Sequence, residues 1–246
     1  ILSFLNIYSQ EIQIDLIKID ESQYKLDGKV SDQEIYGSEL VELKYEERPG
    51  YNTLPSLKTI GYFSYSNTFL YIGVKAIRNK VVSPITSRDD MTIWTGDMSG
   101  LAIDTYGDAR SHIIIVSNPA GSKMDAVRTP GIGFGGEPQV NRNVNYNFES
   151  LGRITDDGYE LEFIIPFSEI PFPNGQDQSW KIKIFSVYKD INNEEEVSAT
   201  SKVDLDASCQ LCLLDHVVNL KDIKIEKQFN LLPYISSNVF GERNNP

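Results

Sequence analysis

The chain has 246 residues, 40% of them apolar, which is enough to bury a core without a metal or disulfide staple. Its formal charge of −12 argues against nucleic acid or an anionic membrane surface as a partner, because both demand a basic face. No run of 18 or more apolar residues is present, so nothing here crosses a bilayer as a helix.

The first nine residues, Ile1 to Ser9, are apolar and uncharged and end at a small side chain. They look like the tail of a secretory signal peptide, the alternative being a first strand on the core. Ile12, Ile14 and Leu16 then alternate with polar residues, the period of a strand. Lys58–Tyr65 and Thr68–Ile77 flank Ser66-Asn67 and predict a hairpin. Leu101–Asp104 and His112–Val116 flank Tyr106-Gly107-Asp108, a turn by its Gly and Asp content. His112 lies within an isoleucine run and reads as a satisfied strand residue. The Gly-rich stretch from Gly131 to Pro138 lacks the Lys-Ser/Thr ending of a phosphate cradle and reads as a plain loop. Val144–Ile154 and Tyr159–Ile165 flank Asp156-Asp157-Gly158, a further hairpin. One helical turn is expected after Pro166, stopped by Pro171. Trp180–Tyr188 sets Ile182, Ile184 and Ser186 against Lys181, Lys183 and Phe185. About ten short strands with almost no helical period predict an all-β chain, an antiparallel sandwich of jelly-roll type.

Cys209 and Cys212 form a lone C-x-x-C. A redox motif would open a helix in a βαβ unit, and none surrounds it. A zinc site needs two more ligands, of which His216 is the one histidine nearby. A local disulfide is the third reading, favoured if the protein is exported.

Six segments, in chain order, form a further pattern. They are Leu26-Asp27-Gly28-Lys29-Val30-Ser31-Asp32, Phe69-Leu70-Tyr71-Ile72-Gly73-Val74, and Arg88-Asp89-Asp90 with Leu101 to Asp108. Ser117-Asn118-Pro119-Ala120-Gly121 with Met124-Asp125 follows, then Gly158 to Phe167, then Ile170 to Phe172 with Gln178 to Trp180. In this order the six resemble family 9-type carbohydrate-binding modules, and the resemblance implies a β-sandwich over residues 10–228 that binds a glycan or oligosaccharide without catalysis. Cys209 to Cys212, Val217 to Ile223 and Leu232 to Ser236 are similar to a group of large Gram-negative outer-membrane proteins. That likeness implies a periplasmic or outer-membrane location, with residues 229–246 opening a following segment such as the first strand of a β-barrel. The chain's own barrel and other envelope proteins are then further partners.

The sequence also departs from the family. Ile35 or Tyr36 stands where a tryptophan is usual, Gly158-Tyr159 replaces Gly-Trp, and Pro171 replaces an arginine. Lys181 and Lys183 stand where Gly and Asn are common. Sugar-binding members grip the sugar between two tryptophans, a pair not found here. The loss suggests a rival role, an interaction domain that plugs or docks on a barrel.

The expected carbohydrate site is Arg88, Asp89, Asp90, Trp94 and Arg110, combining guanidinium forks with an aromatic platform. The competing reading is a buried Arg–Asp network with Trp94 in the core. Asp90, Asp104 and Asp108 suggest a structural calcium, or alternatively a turn cap and an ion-pair partner. No cofactor is otherwise required. For hydrolysis of glycosidic bonds, two carboxylates must face each other. Glu160 and Glu162 share a strand face but read as solvated, and no Gly-x-Ser-x-Gly elbow occurs.

Overall fold

The computed structural model describes residues 11–36, 38–131, 137–189 and 194–224. The expected signal segment 1–9, the segment 229–246 and most of the Gly-rich loop lie outside them.

The strands are β1 (Ile12–Asp15), β2 (Ile17–Lys18), β3 (Glu39–Glu42), β4 (Tyr45–Arg48), β5 (Thr59–Tyr65), β6 (Phe69–Ile77) and β7 (Met98–Asp104). They continue with β8 (His112–Ser117), β9 (Lys123–Thr129), β10 (Gln139–Asn141), β11 (Glu149–Thr155), β12 (Gly158–Pro166), β13 (Gln178–Lys189), β14 (Glu195–Ala199) and β15 (His216–Leu220). They form two sheets. One has nine strands in the order β1-β15-β13-β7-β8-β9-β10, with β14 beside β13 and β4 beside β14. The other has six, in the order β11-β12-β6-β5-β2, with β3 also on β5. Most pairs are antiparallel, while β1 with β15 and β2 with β5 are parallel.

The two-residue period explains the layering. Trp180, Ile182 and Ile184 of β13 join Leu101, Ile103, Ile113 and Ile115 in the core, with Leu70, Ile72, Val74, Leu161, Phe163 and Ile165 from the smaller sheet. Trp180 is wholly buried, 5.7 Å from the Phe167 ring and 5.5 Å from Phe172. It is therefore core, worth about 1.5–3 kcal/mol like any fully buried large side chain.

The expected hairpins at Ser66-Asn67 and Asp156-Asp157 are present. The Ser66 hydroxyl accepts from the Thr68 and Phe69 amides, 3.1 Å each, and closes the first. Gly158 closes the second at φ +153°, where a Cβ would stand 1.9 Å from the Ala76 carbonyl oxygen. The strand expected from Val144 begins at Glu149 instead. The preceding residues are held by side chains, the Tyr146 amide donating to the Asp125 carboxylate at 2.7 Å. The turn after Pro166 is a 3-10 turn, Phe167–Glu169.

Two features were hidden in the sequence. Arg78 is buried between the Tyr159 and Tyr188 rings and faces Asp97 at 3.3 Å. Glu162, expected on a solvated face, is 0% exposed. The 24–35 segment lies over it, and its carboxylate accepts from the Asp27 amide (2.9 Å), the Gly28 amide (2.5 Å) and the Tyr71 hydroxyl (3.0 Å). Glu160 on the same face accepts from Val30 and Arg153, so it is engaged too.

Candidate functional site

The outward positions of the larger sheet build a cleft of about 450 Å³. Its floor comes from Lys183 and Phe185 of β13, Ala102 of β7, His112 and Ile114 of β8, and Met124, Ala126 and Arg128 of β9. Val140 and Arg142 close one side, Glu47 and Arg48 of β4 another. The remaining walls are two 3-10 turns, Met91–Thr95, which carries Trp94, and Gln210–Leu213.

Local chemistry fixes both turns. Asp90 caps the first, its carboxylate accepting from the Thr92 amide at 2.8 Å and the Thr92 hydroxyl at 2.7 Å. These bonds hold its pKa below the ordinary carboxylate value. A disulfide between Cys209 and Cys212 closes the second, which decides among the three readings of that pair. The Trp94 ring lies nearly parallel to Phe185, 6.3 Å between centroids at 6°. The two form an aromatic platform above a patch of Ile93, Met98, Val116, Met124, Val187 and Val197.

Polar groups surround the platform. Lys183 pairs with Glu47, and Arg48 with Glu195 at 2.6 Å. His112 is buried, which pushes its pKa down to about 4, so it is neutral at physiological pH. Its ring meets the Leu211 backbone, while Nε2 has no partner, contrary to the expectation of a satisfied residue. The indole Nε1 of Trp94 is likewise shielded and unpartnered. Both residues line the cleft, while the two nitrogens themselves are closed off from it.

Of the sequence-predicted site residues, Trp94 alone lines this cleft. Arg88 pairs with buried Asp125, donates to the Tyr146 carbonyl at 2.6 Å and lies 5.4 Å from the Phe148 ring. It ties β9 to the 146–148 segment. Asp89 receives the Asp125 amide at 3.1 Å. Arg110 is exposed and pairs with Asp108 at 3.6 Å. The trio expected for calcium does not assemble, because Asp90 precedes β7 and Asp104 ends it. Asp104 instead accepts from the amides of Tyr106, Gly107 and Ala109 across the β7–β8 turn. Among the described residues no three His, Cys, Asp or Glu side chains are grouped to hold a metal ion.

This two-sheet architecture has counterparts among solved structures. A family 9 carbohydrate-binding module from Caldicellulosiruptor kristjanssonii, solved with cellotriose, matches 90% of this chain and 100% of its own at TM-score 0.57 and 12% identity. The glucose complex of a family 9 module from that organism matches with TM-score 0.56 and 13% identity, over 90% and 100% of the two chains. A candidate carbohydrate-binding protein from Bacteroides uniformis matches at 0.63 and 11%, over 85% of this chain and 99% of its own. The fold is that of a family 9 carbohydrate-binding module. No protein-family model matches the sequence, and no curated protein matches it.

Within this module, Phe185, His112, Arg128 and Arg142 are cleft residues that sequence reasoning missed. The available signal was the outward phase of β13, where Lys183 and Phe185 alternate against buried Ile182 and Ile184.

Proposed function

We propose that the chain is a non-catalytic carbohydrate-binding module that holds a glycan in the cleft on its nine-stranded sheet. The Trp94–Phe185 platform inside that cleft carries the reading. Sugar rings present C–H faces that rest on aromatic surfaces, while their hydroxyls take hydrogen bonds at the edges. Exposed Arg128 and Arg142 supply donors at the edge of the lining, and Gln210 adds an amide whose nitrogen already donates to the Asp204 and Ala207 carbonyls. Similar folds solved with cellotriose and glucose support the ligand class. Among the described residues Glu47 is the one carboxylate of the lining and is engaged by Lys183, so these residues offer no facing pair of the kind that glycosidic hydrolysis uses.

The module's place would be the periplasmic side of an outer-membrane protein. The Cys209–Cys212 disulfide supports export, since such bonds persist in oxidising compartments. The second reading, docking on a following barrel without sugar binding, is favoured by the missing tryptophan pair. A glycan array followed by calorimetry separates them. Binding that falls about tenfold or more in Trp94→Ala, and is partly kept in Trp94→Phe, is expected. A flat array, or affinity indifferent to Trp94, refutes the proposal.

A further inference from the structure

The cleft carries a charge opposite to that of the whole chain. Among the described residues its lining holds Arg48, Arg128, Arg142 and Lys183 against the single acid Glu47, in a protein of net charge −12. Two of the four cations are neutralised in place, Lys183 by Glu47 and Arg48 by Glu195. Arg128 and Arg142 have no ion-pair partner among the described residues.

Strand pairing brings both to the β9–β10 edge of the cleft. Arg128 on β9 stands opposite Val140 on β10, and Arg142 lies two positions further along, so both take the cleft-facing phase. Arg128 also stands opposite His112 on β8. Asp104, the acid whose charge acts on His112, is occupied by three turn amides and does not line the cleft. Two exposed guanidiniums without an ion-pair partner among the described residues thus form one edge of the cleft.

We propose that the ligand is an anionic glycan, bound with a carboxylate or sulfate group against Arg128 and Arg142 and a sugar ring on the Trp94–Phe185 platform. A guanidinium presents paired N–H donors that match both oxyanions, and charge-assisted bonds of this kind are about twice as strong as neutral ones. The inference rests on the reading of the cleft as a glycan site and adds its chemical class.

Calorimetry with three probes tests it: tetragalacturonate, a sulfated carrageenan tetrasaccharide, which carries no carboxylate, and neutral cellotetraose. At least one anionic probe is expected to bind about tenfold or more tighter than cellotetraose, with affinity falling as salt is raised. The two anionic arms distinguish carboxylate from sulfate. Arg128→Gln/Arg142→Gln should erase the preference while the far-ultraviolet circular dichroism stays unchanged, since both side chains are exposed. Trp94-dependent binding of cellotetraose at equal or greater strength overturns the charge inference and leaves the glycan site standing. Preference that survives the double variant overturns the inference as well, and failure of all three probes overturns both readings.

Discussion

Replacing Glu162 with glutamine should change how stability depends on pH. Burial, with the Glu34 charge nearby, raises its pKa from 4.5 to about 7. The folded carboxyl therefore keeps its proton over a range where the unfolded one has lost it. Where the folded state binds more protons, stability falls as pH rises. The loss begins near the unfolded pKa of 4.5 and levels off above about 7, worth about 3 kcal/mol at ~1.4 kcal/mol per pH unit. Glutamine has nearly the same shape. Its carbonyl can accept the Asp27 and Gly28 amides, and its amide can donate to the Tyr71 hydroxyl. Denaturant unfolding of both proteins from about pH 5 to about pH 8 stays above the isoelectric point of 4.7, and most of the loss falls within that range. Subtracting the variant curve cancels groups common to both. The difference should shift by about 2.5 kcal/mol in favour of the variant across that range. Parallel curves would show that the Glu162 carboxyl titrates alike in the folded and unfolded states and refute the reasoning.

Arg78→Met should cost about 3–5 kcal/mol in denaturant unfolding, because it strands the Asp97 carboxylate, whose side chain is 1% exposed. Adding Asp97→Asn should recover part of that loss, and no recovery would mean the pair is not the cause. Reducing the Cys209–Cys212 bond, or replacing both with alanine, should lower stability by about 2 kcal/mol, as expected for so short a loop. It should also weaken glycan binding, since Gln210–Leu213 is a wall of the cleft and Leu211 backs His112. Unchanged calorimetric affinity would show that the wall holds without the bond.

Local patterns exposed the sheets because alternation is a property of neighbouring residues. Ile182 and Ile184 against Lys183 and Phe185 is legible without knowing what lies opposite. Turn chemistry was legible for the same reason, at Ser66-Asn67 and at Gly158. Within the Arg88-Asp89-Asp90 cluster, Arg88 and Asp89 converge on Asp125, the Arg–Asp network that the sequence also offered, while Asp90 turns to its own cap. Asp90 caps one turn and Asp104 another, with the length of β7 between them.

The order of apolar and polar residues thus determined by itself that this chain folds into sheets, and the family's scattered motifs indicated the sandwich. The cleft was decided by tertiary structure alone. Trp94 comes from a turn, Phe185 from β13, and Arg128 with Arg142 from a sheet edge, and they meet only after long-range strand pairing. The same holds for Glu162, whose burial depends on the 24–35 segment crossing over it. Burial and charge pairing depend on contacts between residues distant in sequence, which no local window contains.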